Sequence, residues 1–530
     1  MADYYTQVFF GKRVAMRAKL GGVLVCGVLA LGSTGSAQAT NACGNLTSLR
    51  IPGVEIVKAE MAPAGNAAQL PMGWPGYTGP LPAHCRVDGV INRRKGVDGE
   101  EFGIGFAVAL PEGWNGDFLM QGGGGGNGYV VQPIGPAAAG DKPGLTRGFA
   151  VASTDTGHKA KTGPFDFSFM RDEQAMLDFA YLANAEVAGV AKQIVARYYG
   201  KAAAYSYFAG CSTGGREGMI LSQRYPTVFN GIVSGDPAMD TGFSNLAASR
   251  WAVVNWNQIA PKDASGKPLT GEAITDADRR VIHDALLKRC DAKDGVADGM
   301  IFDPLGCDFD PAMVACKAGQ SEGCIAPKKV AAIERVFAGP KDLHGDNVYP
   351  GFLYDTGITY TAPIPGLLAM RGGFLGTPVT DTQMDVDKEE AAASQPLVDS
   401  RSTNLTTFSG NGGKLIFYHG DSDPWFSPLD TLDYYKNMAA ANGGVEKVEQ
   451  WSRIYLVPGM SHCGGGAAAL DDFDMLGALM NWVEKGTAPE SVVATGKAFP
   501  GRSRPLCAYP KHAQYKGVGN TEDAASFECR

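Results

Sequence analysis

Near the middle of the chain, Ala204–Ala209 (AYSYFA) runs into Gly210-Cys211-Ser212-Thr213-Gly214-Gly215, and a helical pattern follows up to Pro226. A strand, a sharp turn with serine at its apex and a helix are the parts of a G-x-S-x-G nucleophile elbow. Such a turn leaves no room for side chains at the flanking glycines, which would strike the neighbouring strand or helix. It lifts the Ser212 hydroxyl above the sheet edge, at the amino end of the helix. A glycine-rich turn can also hold phosphate or nothing at all. The order strand, turn, helix favours the nucleophile.

The rest of the chain can be read around this turn. Phe102–Leu110 and Asp117–Met120 read as strands, the second running into the glycine-rich stretch Gln121–Gly128. Phe149–Ser153 is another short strand. Gln174–Tyr199 repeats apolar residues at threes and fours, the helical period, and Gly200 supplies a stop. Phe229–Ser234 is strand again. Strands alternating with helices predict a mostly parallel sheet covered on both faces. The alternation lapses between about 240 and 410, then resumes with Lys414–His419 (strand), Thr431–Ala441 (helix), Arg453–Val457 (strand) and Asp471–Lys485 (helix). The expected architecture is one α/β core, residues 40–240 and 411–530, with a lid domain inserted at 241–410.

A serine hydroxyl needs a base, and in the α/β-hydrolase order an acid and then a histidine follow the nucleophile. His462 lies in Pro458-Gly459-Met460-Ser461-His462-Cys463-Gly464, directly after the Arg453–Val457 strand, where the base belongs. His419 ends a strand and is expected to pack or cap its turn, and His512 has no strand before it. Asp421 and Asp423 both follow Lys414–His419 within reach of an imidazole. Asp423 is favoured because Pro424 fixes the backbone after it. The carboxylate would orient the imidazole without taking its proton. Backbone amides should meet the developing oxyanion: one from Thr213, the other from Gly123 or Gly124, where missing side chains allow close approach.

Cys211 precedes the expected nucleophile and Cys463 follows the expected base. If Ser212 and His462 meet, these two sulfurs lie within bonding range, and a bridge would tie elbow to histidine loop across about 250 residues.

Gly-Cys-Ser-Thr-Gly-Gly-Arg at 210–216, His-Gly-x-x-Asp at 419–423 and Ser-His-Cys-Gly at 461–464 together resemble the tannase/feruloyl esterase family of bacteria and fungi. The likeness runs in motif order through nearly all of the chain after residue 39. It implies an α/β-hydrolase fold and a serine esterase acting on small aromatic esters of feruloyl, galloyl or terephthalate monoester type. It also implies the pairs Cys211–Cys463, Cys43–Cys85, Cys290–Cys307, Cys316–Cys324 and Cys507–Cys529. Asp423-Pro424-Trp425-Phe426-Ser427 is similar to the branch containing mono-hydroxyethyl terephthalate hydrolase, in which an aromatic at the Phe426 position touches the substrate ring. Thr213, where that branch has an acidic residue, and a shorter insertion are departures from it. Trp425 and Phe426 are candidate ring contacts, with core packing as the commoner role of such aromatics, and Arg371 in the insertion is a candidate reader of a free carboxylate, with a solvated surface arginine as its alternative.

Asp291-Ala292-Lys293-Asp294-Gly295-Val296-Ala297-Asp298-Gly299-Met300 places three carboxylates at spacings of three and four, with glycines at the bends. Hard oxygen ligands on a tight loop suit Ca²⁺, and a metal-free Asp-Gly turn cluster fits equally well. The resemblance favours a structural calcium held by Asp291, Asp294 and Asp298 carboxylates and the Val296 and Met300 carbonyls.

At the amino end, Lys12, Arg13, Arg17 and Lys19 precede the apolar run Leu20–Leu31, and Ala37-Gln38-Ala39 offers a cleavage site. This reads as a secretory signal over 1–39, too short to span a bilayer. Its removal moves the net charge from −8 to −11 and leaves ten cysteines, an even number suited to disulfides outside the cytosol. No basic block that would track nucleic acid is present, and no second apolar run could cross a membrane. The expectation is a secreted or periplasmic esterase. An esterase for aliphatic hydroxyacid oligomers and a non-catalytic calcium-dependent binding protein are its rivals. Oligomeric state is not encoded in any of these features.

Overall fold

The computed structural model describes residues 42–69, 76–361, 364–370 and 379–530. The expected signal over 1–39 and Arg371 lie outside them. A nine-stranded sheet forms the frame: β1 (Val54–Ala62), β2 (His84–Lys95), β3 (Glu101–Pro111), β4 (Phe118–Gln121), β5 (Ala150–Thr154), β6 (Ser206–Cys211), β7 (Gly231–Gly235), β8 (Lys414–Gly420) and β9 (Ser452–Val457). Their order across the sheet is β1-β2-β3-β5-β4-β6-β7-β8-β9. From β5 to β9 every pairing is parallel, whereas β1–β2, β2–β3 and β3–β5 are antiparallel. The sheet is thus mixed. Its antiparallel part comes from β1, β2 and β3, of which only β3 was expected from the sequence.

The parallel strands are buried on both faces and read as near-continuous apolar runs, as two covered faces require. Helices α1 (Ala183–Tyr199) and α2 (Thr213–Arg224) follow β5 and β6. Before α1 the predicted helix contains a π turn at Asp178–Leu182. The turn frees carbonyls of Phe179 and Ala180, and the buried Arg216 guanidinium donates to both, at 3.0 and 2.8 Å.

After β7 the chain leaves the sheet and returns only at β8. In between lie α3 (Ala252–Ile259), α4 (Asp276–Cys290) and α5 (Pro327–Ala338). They share an apolar cluster of their own around Trp256, Ile282, Leu286 and Ile333. Thr275 and Asp278 cap α4 reciprocally, and Pro327 opens α5 at a position where its missing N–H costs nothing. Disulfides Cys290–Cys307 and Cys316–Cys324 close short loops here. Beyond β8, α6 (Pro428–Ala441) and α7 (Met475–Lys485) complete the cover of the sheet. No helix among the described residues is long and apolar enough to cross a membrane.

Candidate active site

The carboxyl ends of neighbouring parallel strands open into one crevice, the usual place for a site in such sheets. Cys211 pairs with Gly235, Gly235 with Tyr418, and Gly420 with Val457. Each next residue, Ser212, Asp236, Asp421 and Pro458, therefore enters a loop at the same edge.

Ser212 sits at φ 64° and ψ −125°, the strained backbone of a tight elbow. Its amide donates to Gly235 O at 3.0 Å, and its carbonyl accepts from Arg216 and Ala238. A Cβ on Gly210 would come within 2.6 Å of Gly214 O, and one on Gly214 within 2.8 Å of Gly123 O. The side-chain exclusion that the motif implied is thus physical. Ser212 itself is half-buried.

His462 Nδ1 lies 2.6 Å from Asp423 Oδ2, both groups being buried. Asp423 Oδ1 accepts the Trp425 and Phe426 amides at 2.8 and 3.1 Å, so one oxygen holds the loop while the other holds the imidazole. Burial alone would raise this carboxyl. His462 and His419 outweigh burial and hold it well below the ordinary range. Asp421, the other carboxylate considered, is not part of the pair. Both its oxygens are buried without a hydrogen-bond partner among the described residues, and burial, with Asp355 and Asp236 nearby, pushes it well above the usual range.

Cys211 and Cys463 are bonded, with Cα atoms 5.9 Å apart and a sequence separation of 252. The bridge binds the residue before Ser212 to the residue after His462, which brings the elbow and the imidazole loop together. The other four pairs implied by the resemblance are bonded as well.

Two buried groups in this corner escaped the sequence reading. His419 does more than cap its turn: Nε2 lies 3.0 Å from Phe426 O and 3.4 Å from Asp423 Oδ2, and Nδ1 lies 2.8 Å from Thr431 Oγ1. Burial opposes its protonation, but Asp236 and Asp423 together raise it. Asp236 accepts the amides of Gly420 (2.8 Å) and Cys463, joining the end of β8 to the histidine loop. Burial raises its carboxyl, with Asp423 adding and His419 opposing. The four-residue spacing of His419 and Asp423 was a usable signal for the first. A lone Asp after a strand gave none for the second.

The glycine-rich loop faces α2. Gly123 requires a correction: its N–H donates to Glu217 Oε2 at 3.0 Å and is not left for an oxyanion. Gly122 N–H is taken by Ala209 O. The amides of Gly124 and Thr213 have no acceptor among the described residues. The register is set by Glu217, which a run of five glycines does not announce.

Trp425 and Phe426 flank His462, with ring centroids 4.7 and 5.2 Å from the imidazole. Phe426 is buried and Trp425 half-buried. The inserted segment reaches the same loops: Asp355 accepts Ser422 Oγ and the Gly459 amide at 2.8 and 2.7 Å, and Tyr349 Oη accepts the Ser427 amide at 2.9 Å.

In the acidic loop after α4, Asp291 accepts the Asp298 and Gly299 amides, each at 3.0 Å. Asp294 Oδ2 is buried with no hydrogen-bond partner among the described residues, and burial, with Asp298 and Asp291 adding and the Val296 and Phe302 amides opposing, raises this group to about 7. Asp298 also pairs with Arg504. The Asp291 oxygens are taken by amides and Asp298 by Arg502 and Arg504, and the three carboxylates do not converge within 4.8 Å of one another among the described residues.

An elbow serine and a carboxylate-bound histidine joined at one sheet edge define an α/β-hydrolase-type carboxylic ester hydrolase. Family-level comparison agrees. The model for "Tannase and feruloyl esterase" matches residues 85–369 and 375–530, and the chain belongs to that family. Mono(2-hydroxyethyl) terephthalate hydrolase of Piscinibacter sakaiensis is 36% identical over 521 residues, covering 85% of each chain. A probable feruloyl esterase of Arthroderma benhamiae is 30% identical, covering 92% of this chain and 93% of the relative. The crystal structure of feruloyl esterase B from Aspergillus oryzae superposes with a TM-score of 0.74 at 25% identity, covering 93% of this chain and 100% of that one.

Proposed function

We propose that the protein is an exported serine esterase that cleaves carboxylic esters of aromatic acids through an acyl-enzyme. The observation that carries this is the buried His462–Asp423 pair, tied by the Cys211–Cys463 bond to the elbow bearing Ser212. With Nδ1 committed to Asp423, Nε2, which lies 3.7 Å from the Cys463 sulfur, is the nitrogen left to take the Ser212 proton as Oγ attacks the ester carbonyl. The tetrahedral oxyanion then meets the Thr213 and Gly124 N–H groups. His462 returns the proton to the departing alkoxide, and water, activated the same way, releases the acid. Asp423, held ionised by its two histidines, supports the imidazolium that forms in each half-reaction.

The aromatic preference is supported by two relatives whose names specify terephthalate or feruloyl esters, and by Trp425, a half-exposed ring beside the base. The inserted segment acts as the lid that selects the acyl part, and Arg371 within it is a sequence candidate for reading a free carboxylate, with a solvated surface arginine as the alternative. Five disulfides fit an oxidising compartment. A panel of feruloyl, galloyl, terephthaloyl and aliphatic hydroxyacid esters, compared by kcat/KM, tests the reading. Aromatic acyl esters should lead by at least tenfold, on the order of what one well-fitted apolar pocket supplies. An aliphatic leader would overturn the preference, and turnover retained in Ser212→Ala would overturn the mechanism.

For the metal, Asp291, Asp294 and Asp298 with the Val296 and Met300 carbonyls would hold Ca²⁺, whose charge would satisfy the orphaned Asp294 oxygen and fix the inserted segment. Elemental analysis should find one calcium per chain, and chelation should lower the melting temperature while kcat of the still-folded enzyme stays unchanged. A folded, calcium-free chain indifferent to chelator would refute the site.

A further inference from the structure

Three residues near the start of α2 grip the glycine loop. Thr213 Oγ1 donates to Gly125 O, the Gly214 amide donates to Gly123 O at 3.1 Å, and Glu217 accepts the Gly123 amide at 3.0 Å. Glu217 Oε1 also accepts Asn127 Nδ2 at 2.6 Å, so the carboxylate spans both ends of the loop. The side chain is buried at 3% exposure, and a carboxylate there is tolerable only when its oxygens are engaged.

The geometry has a directional consequence. In a trans peptide the C=O and N–H point opposite ways. The Gly123 carbonyl is turned toward the Gly214 amide, so the Gly124 N–H of the same peptide is turned away from α2. Glu217 fixes the peptide one step earlier. Together these contacts set the rotation of the Gly124 N–H relative to the Thr213 N–H, which is fixed by the helix itself. A Cβ on Gly122 would meet Gly214 Cα at 2.8 Å and Gly210 Cα at 2.9 Å, so the loop sits as close to the elbow as backbone allows.

We propose that Glu217 is a positioning residue for ester hydrolysis, aiming the Gly124 amide at the oxyanion by anchoring the neighbouring Gly123 amide to the helix that carries Ser212. This rests on the esterase reading above. Glu217 touches no substrate; it acts through the loop. Burial raises its carboxyl, with the Gly123 amide and Arg216 opposing, which is consistent with a group placed for its hydrogen bonds.

The test compares wild type with Glu217→Ala, Glu217→Gln and Ser212→Ala on an aryl ester. It also measures affinity for an arylboronic acid, whose serine adduct is a tetrahedral anion, and for the free product acid. Glu217→Ala should lower kcat about 10²-fold, the scale of losing one oxyanion donor, with KM within threefold. Boronate affinity should fall in parallel while product affinity stays unchanged. Glu217→Gln should recover kcat to within about fivefold of wild type, since its carbonyl can accept from Gly123 and its NH₂ can donate to a turned Asn127 amide. Glu217→Met, close in volume but without an acceptor, replaces the alanine variant if that one does not fold. Full kcat in the alanine or methionine variant would overturn the proposal. So would a fall in product affinity equal to the fall in boronate affinity, a glutamine variant as poor as alanine, or failure of both truncations to fold. Ser212→Ala separates the two claims: if it keeps turnover the esterase reading fails, whereas if it is dead and Glu217→Ala is fully active, only the role of Glu217 fails.

Discussion

The two walls of the cleft are built differently. The acid–base wall is held by a covalent bond between Cys211 and Cys463 and by the buried hydrogen-bonding side chains of Asp236, His419, Asp423 and His462. The glycine wall, residues 122–127, has no covalent tie; hydrogen bonds from α2 hold it. Beneath it lies an aromatic bed of Phe167, Phe169 and Phe179, with His158 stacked on Phe169 at 3.5 Å between centroids. Chemistry accounts for the contrast. Side chains that carry protons must keep their orientation as charge moves, so a rigid anchor serves them. Backbone donors need only close approach, which glycine supplies and a bridge would obstruct.

The sharpest way to break the acid–base wall without dismantling it is Asp423→Asn. The amide can hold the imidazole only in the wrong tautomer, and kcat should fall about 10⁴-fold with little change in melting temperature. A loss under tenfold would move the acid elsewhere.

Removing the bridge with Cys211→Ala/Cys463→Ala tests the covalent part. In the chain-entropy model a loop of 252 residues contributes about 5 kcal/mol, against about 3 kcal/mol for the 17-residue loop of Cys290–Cys307. Denaturant unfolding should rank the two double mutants in that order. Equal losses would show that the long bridge serves geometry and adds little to stability.

On the glycine side, burial pushes His158 down to about 4 from an ordinary 6.5. Between those values the unfolded chain binds a proton that the folded chain refuses, so folding stability falls as pH drops from 6.5 toward 4. The full effect is on the order of 3 kcal/mol. His158→Gln should flatten this part of the stability–pH curve. An unchanged slope would mean that the ring is protonated in the folded state.

The smallest expected effect is that of Gly122→Ala, whose Cβ would press on the Gly210 and Gly214 backbone. A shift of the loop by a fraction of an ångström should cost up to about 10²-fold in kcat, with KM moving less. Wild-type kcat would show that the wall is compliant.

The same contrast decides what could be read from the sequence. Ser212, Asp423 and His462 were legible because each sits at a fixed offset from a strand and beside a telling neighbour: Gly210 and Gly214, Pro424, or Cys463. The register of the glycine loop was not, because residues without side chains carry no pattern, and Gly123 was consequently paired with the wrong role. Asp236 was hidden because a buried carboxylate that joins loops looks like any other Asp after a strand. The β1 and β2 strands were missed because a bulge shifts the alternation of β1 between Ile56 and Lys58, and the short alternation of β2 gives way beyond Ile91 to the polar run Asn92-Arg93-Arg94-Lys95. The core around 241–410 is a separate apolar cluster whose helices give little indication from sequence of how they reach Ser422, Ser427 and Gly459.

The central claim, that Ser212 is the group activated at this corner, is tested most directly by reaction with an aryl fluorophosphonate followed by peptide mass mapping. The account predicts one adduct per chain, on the peptide containing Ser212, appearing in step with the loss of turnover and nearly absent in Asp423→Asn at the same time points. Inactivation with the adduct on another residue, or turnover that persists after Ser212 is fully modified, would contradict it.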